Sequence, residues 1–401
     1  MRRRPWSEER KEEKGQPIIA RRRKSVVIVA GGGVAALEAM LALNHLASEF
    51  VEVELLSPDS EFVYVPLSVV EPFQQAETPS FDLDDITREL RVQQVRDTLT
   101  AVDCDRQTIR TGSGDERHYD ALIIAIGAKA SPAVDGALTF RGPHDRDAVG
   151  RLIAEVEQSR VNSVAFVVPS GTVWPLPLYE LALMTSERLA ALGLTDTQLS
   201  LVTSEQAPLR LFGRKASDEV AALLASRRID LRTSSHSAGV KDGVLLLVPG
   251  VSVAAERVIA APRLTGHRLP GIAQDPNGFL RIDGYGLVEQ TSDVYAAGDV
   301  TSFPIKQGGI AAQQADAASE TIANRFGAAI TPQPFRPVLR GLLLTEAGPR
   351  YLRTEVAGGV GDVAGFSKQP LWWPPGKIAG RYLSPYLARK GLDTAGSMIA
   401  T

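Results

Sequence analysis

The sequence predicts an α/β chain of two doubly wound parallel units followed by a small C-terminal module. Three observations carry this. Residues 25–43 read as an apolar β-branched run, a glycine-rich turn and a helix. Residues 161–192 repeat that order of strand, turn and helix. A further strand-like run at 292–297 comes late and precedes an Ala-rich helical stretch at 308–326. Strands alternating with helices argue for parallel sheets, and 401 residues are long for one core. The expected limits are a basic tail at 1–24, a first unit split over 25–145 and 270–333, a second at 146–269 and the module at 334–401.

The tail holds ten Lys/Arg against four Glu, a net +6, and leaves −9 on the rest of a chain whose total is −3. Such a run reads as disordered, or as an electrostatic hold on anionic lipid at about 1 kcal/mol per basic residue. No nucleic-acid motif accompanies it, so no nucleic-acid partner is expected. No run reaches the roughly 18–20 apolar residues that span a bilayer, and no apolar leader opens the chain. The expectation is a cytoplasmic protein. Cys104 is the single cysteine, and a dithiol relay needs two thiols within about 7 Å. No metal-ligand spacing occurs, so no metal is assigned.

Val26 to Val29 form the first strand, and Gly31, Gly33 and Ala36 then fill G-x-G-x-x-G/A before a helix with apolar Val34, Leu37, Leu41 and Leu43. The first glycine permits the turn and the second lets a pyrophosphate approach the backbone. The small third residue lets helix and strand pack. A dinucleotide is the expected ligand. The second strand, VEVELL at 51–56, ends at Ser57, where this motif usually carries an acid gripping ribose hydroxyls. A charged hydrogen bond contributes about 1.5–3 kcal/mol and a neutral one about 0.5–1.5, so Asp59 would have to supplement Ser57. Short strands follow at 92–95, 99–102, 108–111 and 121–125, and Gly127 closes the last of them. Near Pro143 the chain leaves the first unit. The second unit opens with a strand at 161–168, has helices at 177–192 and 215–227, and further strands at 199–202, 229–232, 244–248 and 258–261.

The glycine fingerprint, the run LLSPDSEFVYVPL at 55–67, DALIIAIG at 120–127, PLPLYELA at 175–182, SDVYAAGDV at 292–300 and the Lys306-Gln307-Gly308-Gly309 turn occur in one order and spacing. Over residues 25–345 the chain resembles the pyridine nucleotide-disulfide oxidoreductase superfamily. Within it the likeness is to the sulfide:quinone oxidoreductase, flavocytochrome c sulfide dehydrogenase and type II NADH dehydrogenase branch. That resemblance implies two Rossmann-like dinucleotide-binding domains of the glutathione-reductase type and a bound FAD. The flavocytochrome tether is a cysteine that this chain lacks, so the FAD is expected to be non-covalent.

The resemblance also implies roles for individual residues. Gly31, Gly33, Ala36, Ser57, a backbone group at Leu99, Gly127, Gly298 and Asp299 would hold the cofactor. Tyr64 and Pro66 would line its ring, and Lys306 and Gln307 would meet its pyrimidine edge. Lys306 with the following helix dipole would then stabilise reduced flavin; the plain alternative is a solvent lysine. Glu180 would relay protons, its pKa raised by burial, or would be a first-turn glutamate favoured by the helix dipole at about 0.3–1 kcal/mol. Trp174, Tyr179 and Trp372 would face substrate. At the second nucleotide turn Trp174, Pro175 and Pro177 add bulk and remove two N–H donors, which argues against tight NAD(P)H binding.

The C-terminal module carries a strand pair near RPVLRGLLLT, a Gly-rich link, the run Trp372-Trp373-Pro374-Pro375-Gly376-Lys377 and apolar Ile378, Tyr382, Leu383, Tyr386 and Leu387. These suit a peripheral membrane contact on the inner face or packing over the flavin. Pro385, expected to kink a helix laid on lipid, favours packing. The leading expectation is an FAD-dependent oxidoreductase passing electrons between a small donor and an acceptor such as a quinone, without a cysteine relay. An NAD(P)H dehydrogenase, a flavin-binding regulatory protein with a decayed substrate site, and a homodimer stay open.

Overall fold

The computed structural model describes residues 23–345, 347–355 and 365–392. The expected tail, except for its last two residues, and the Gly-rich link at 356–364 lie outside them.

Two parallel five-stranded sheets organise the chain. In the first, the strand order is Val294–Ala296, Ala121–Ile124, Ser25–Ala30, Val51–Leu56, Gln93–Val95. In the second it is Leu138–Thr139, Arg257–Ala260, Ser163–Val168, Gln198–Thr203, Ile229–Arg232. The central strands carry unbroken apolar runs because both faces are covered, one by helices and the other by short antiparallel strands, Leu99–Asp103 with Thr108–Thr111 under the first sheet and His236–Lys241 with Val244–Val248 under the second; residues 27–30 and 163–168 are buried throughout. In the first sheet Ser25–Ala30 lies between Val51–Leu56 and the later Ala121–Ile124, and in the second Ser163–Val168 lies between Gln198–Thr203 and the later Arg257–Ala260. That order creates a switch point, where α/β sheets open a crevice beyond their carboxyl ends.

The α-helices are α1 (Val34–Ala47), α2 (Leu83–Leu90), α3 (Arg146–Glu157), α4 (Leu176–Ala191), α5 (Arg214–Ser226), α6 (Gly308–Phe326) and α7 (Leu383–Arg389). Small residues let α1 and α6 pack closely: Ala35, Ala36, Ala39 and Ala42 on one, Ala311, Ala315 and Ala318 on the other, are all buried. A third, antiparallel sheet of Val338–Leu343, Arg350–Glu355 and Gly365–Ser367 forms the C-terminal module. No described helix is long and apolar enough to cross a membrane.

Two sequence readings change. The run at 292–300 is a strand only over Val294–Ala296, because Gly298 turns the chain with φ +82°. The run at 378–389 is helical only from Leu383. Its first residues stay outside the helix, with N–H groups bonded elsewhere: Ile378 donates to the Tyr64 hydroxyl (2.9 Å) and Gly380 to Ser384 Oγ (2.8 Å). Pro385 lies in the first turn of α7, where a missing N–H costs nothing, so it introduces no kink. Ile378, Leu383, Tyr386 and Leu387 are buried in protein rather than presented to lipid.

Glu38 of α1 fixes this segment. Fully buried, it accepts the Tyr382 N–H at 2.7 Å and the Leu383 N–H at 2.8 Å. Burial raises the Glu38 carboxyl, while those two donors and its carboxyl neighbour Asp316 of α6 oppose the rise. Burial first, and the Glu38 charge second, push the Asp316 carboxyl up to about 9. Glu38→Ala leaves two donors without an acceptor and is expected to cost about 1–3 kcal/mol in urea unfolding. For Asp316 the folded pKa is the raised one, so its contribution is complete below 3.8 and is lost as pH climbs towards about 9. Asp316→Asn should therefore lose less stability than the wild type across that window. Parallel curves for the two proteins would refute the assignment.

Candidate active site

A cavity of about 440 Å³ opens where the carboxyl ends of both five-stranded sheets meet the C-terminal module. Its floor is the turn from Ala30 into α1. Gly31 has φ +135°, and a Cβ there would stand 2.6 Å from the Ala125 carbonyl carbon and closer still to its oxygen. Only glycine lets the two strands approach so closely. A Cβ on Gly33, by contrast, would meet nothing within 4 Å, and Gly33 lines the cavity. It is also the N-cap of α1 and offers no side chain to the first N–H groups, which leaves those donors for a ligand. Ala36 is buried in the helix behind.

Gly127, Gly298, Asp299, Lys306 and Gln307 line the same cavity, as do Pro66, Trp174 and Glu180. Burial raises the Asp299 carboxyl, with the Lys306 charge opposing it. Its side chain has no hydrogen-bond partner among the described residues. Gln307 caps α6 by accepting the Ile310 N–H at 2.9 Å. Its amide donates to the carbonyls of Arg340 (3.1 Å) and Lys377 (3.4 Å), tying the C-terminal module to the helix.

Other sequence candidates stand off the cavity. Tyr64 is buried behind its wall and spends its hydroxyl on the Ile378 N–H. Tyr179 donates to Glu205 at 2.8 Å inside the second unit. Trp372 packs edge-on against Tyr351 (5.1 Å) and donates its indole N–H to Gly376. Leu99 packs against the core on the far side of the first sheet. Ser57 is buried beneath the glycine turn, where its Oγ accepts the Asp59 N–H at 3.2 Å. Lys306 lines the cavity, yet its ammonium is turned onto the Thr301 carbonyl and the Phe279 ring, 4.1 Å away. Burial brings its pKa down to about 8.

Nothing in the sequence pairs Glu180 with a cation. In the structure Lys377 Nζ lies 2.6 Å from both of its carboxylate oxygens, and the Leu344 N–H donates to one of them at 2.8 Å. Glu180 is fully buried and Lys377 is 8% exposed, both at the cavity wall. Burial raises the glutamate and lowers the lysine more than their mutual attraction restores. The two proton affinities therefore approach each other, the condition for a proton to move along a short hydrogen bond. Glu205, also not singled out in the sequence, closes the second strand of the second sheet, the place where an acid meets a nucleotide ribose in such units. It is held by Tyr179 and by Thr203 Oγ1 (3.0 Å). Above it the turn at 169–175 carries Trp174 packed edge-on to Phe212 (6.0 Å). Cys104 stands 3.7 Å from the Gly271 carbonyl in the core beyond the first sheet, outside the cavity lining.

An NADH dehydrogenase-like protein of Mycobacterium tuberculosis is 29% identical over 236 residues, covering 55% of this chain. The match spans 58% of that relative's length. The sulfide:quinone oxidoreductase of Aquifex aeolicus superposes with a TM-score of 0.77 at 18% identity, over 86% of this chain and 87% of its own. NDH2 from Plasmodium falciparum, solved in complex with NADH, superposes with a TM-score of 0.64 at 14% identity, over 84% and 92%. The expectation against NAD(P)H gains no support from these relatives, two of which carry NADH in their names or contents. A family profile described as pyridine nucleotide-disulphide oxidoreductase matches residues 24–319. With its two parallel sheets and shared cavity, the chain belongs to the pyridine nucleotide-disulphide oxidoreductase family.

Proposed function

We propose that the cavity holds FAD non-covalently and that the protein is an oxidoreductase passing electrons between a small-molecule donor and an acceptor of the quinone class. The observation that carries this reading is the convergence of the open Gly33 turn, the unpartnered Asp299 carboxylate and the Glu180–Lys377 pair on one cavity. These residues fit the cofactor. Gly33 and the first N–H groups of α1 suit a pyrophosphate, Asp299 suits the ribityl hydroxyls, and Gly127 and Pro66 suit a flat ring. The N-terminus of α6 places positive potential where charge develops on reduction. FAD would supply the two-electron carrier.

The remaining work belongs to this chain's residues. Lys377 holds a proton at Nζ, and Glu180 takes or returns it across 2.6 Å, so protons can follow electrons at the cavity wall. Apolar walls such as Val69, Leu176 and Leu342 exclude water and strengthen these charges. The single cysteine leaves no disulfide relay within the chain. We place the domain limits at 25–145 with 270–333, and at 146–269.

The purified protein should be yellow and should lose its flavin absorbance when mixed anaerobically with a competent donor. A colourless protein with no affinity for added FAD would end this reading. A second reading makes NADH the donor, supported by the position of Glu205 and by the NADH dehydrogenase-like relative. Stoichiometric NADH that bleaches the wild type rapidly and a Glu205→Gln variant slowly would select it.

A further inference from the structure

The strand Val338–Leu343 crosses the cavity, and residues two apart on a strand share a face. Arg340 and Leu342 accordingly line it, whereas Gly341 between them faces the Phe212 ring. Gln307 holds the Arg340 carbonyl at 3.1 Å, so this backbone is pinned to the start of α6.

Four cationic side chains line the cavity, and three of them are answered. Arg141 is bonded to both Asp145 oxygens, at 2.5 and 3.0 Å. Lys306 is turned onto Thr301 and Phe279, and Lys377 is paired with Glu180. Arg340 has no side-chain partner among the described residues, and its Nε is buried with no acceptor. Its cross-strand neighbour is Arg353, a like charge, and Glu355 is already bonded to Arg353 at 2.9 Å. Burial and the Arg353 charge lower its pKa, with the Glu355 charge opposing them. A half-buried guanidinium with no acceptor bonded to it is costly. A planar fork of donors meets a carboxylate with two parallel hydrogen bonds.

We propose that Arg340 binds a carboxylate on the non-flavin substrate, which makes the substrate of this cavity a small organic acid or a carboxylate-bearing acceptor. The proposal rests on the reading of the cavity as a flavin site and deepens it. Glu180 and Lys377 would handle the proton at the reacting end, while Arg340 fixes the other end.

The test is calorimetric titration of the FAD-loaded protein with benzoate and with benzamide, its neutral counterpart. Benzoate should bind and benzamide should not at the same concentration. Arg340→Gln should weaken benzoate about 10- to 100-fold, and Arg340→Lys should weaken it less, since it keeps the charge and loses the fork. The Lys variant also keeps the test open if the Gln variant does not fold. Equal binding of benzoate and benzamide, or unchanged benzoate binding in Arg340→Gln, overturns the proposal. Loss of FAD uptake in both variants overturns it too, because the guanidinium then serves the cofactor. If the wild type takes up no FAD, the functional reading fails separately. The same titration of flavin-free protein then decides on Arg340 alone: an Arg340-dependent benzoate site supports the anion site, and its absence overturns it.

Discussion

Lys377→Met is expected to destabilise the protein by about 3–5 kcal/mol, because it strands the Glu180 carboxylate in a buried site with only the Leu344 N–H for company. The double variant Glu180→Leu with Lys377→Met removes both charges. Its stability should return to within about 1–2 kcal/mol of the wild type or exceed it, since a buried pair often repays little more than its own desolvation. Turnover should be lost in both, an outcome that would separate the proposed proton-handling role of the pair from its structural one. Equal unfolding free energies for the wild type and the single variant would refute the pairing.

The pH dependence has a definite sign. The Glu180 pKa is raised above 4.5 by folding, so its stabilising contribution is present below that value and is lost as pH rises through the folded value. The Lys377 pKa is lowered below 10.5, so its contribution is present above that value and is lost as pH falls through the folded value. Against the double variant, the wild type should therefore compare worst in the range between the two folded values and better at both extremes.

Gly31→Ala should have the other large effect. Holding a side chain at φ +135° costs about 1–3 kcal/mol, and its Cβ would push against the Ala125 carbonyl and spread the two central strands. Both the melting temperature and FAD uptake should fall. Gly33→Ala is the informative partner: its φ is an ordinary −92° and the Cβ meets no protein atom. It should melt like the wild type yet bind FAD more weakly, because the methyl fills the space a pyrophosphate needs. Undiminished FAD affinity in Gly33→Ala would remove the phosphate from that turn.

The contrast between these glycines and the lysine shows what was legible in the sequence. Gly31, Gly33, Gly298 and Asp299 sit in turns whose conformation is decided within a few residues, so their pattern announces their place. Glu180 was legible as a carboxylate at the start of a helix. Its partner was not, because Lys377 arrives from 197 residues away, through a segment whose path depends on Glu38 and Tyr64. Arg340 escaped for the same reason: strand periodicity gives two faces and does not say which one meets a cavity. Tyr64, Tyr179 and Trp372 stand off the cavity lining with their polar tips bonded to protein groups, since aromatic side chains with a polar tip satisfy a buried hydrogen bond as readily as they line a ligand. Apolar residues recur through 378–389, yet the segment is helical only from Leu383, its earlier N–H groups being bonded outside the helix.

The dependence of the cavity on Lys377 also sets an order of events during synthesis. Both five-stranded sheets are complete in sequence before residue 377, so a nascent chain can hold them while Glu180 still lacks its cation. The buried pair then forms only with the final segment, and a polypeptide stopped before residue 377 would leave the Glu180 carboxylate without its cation.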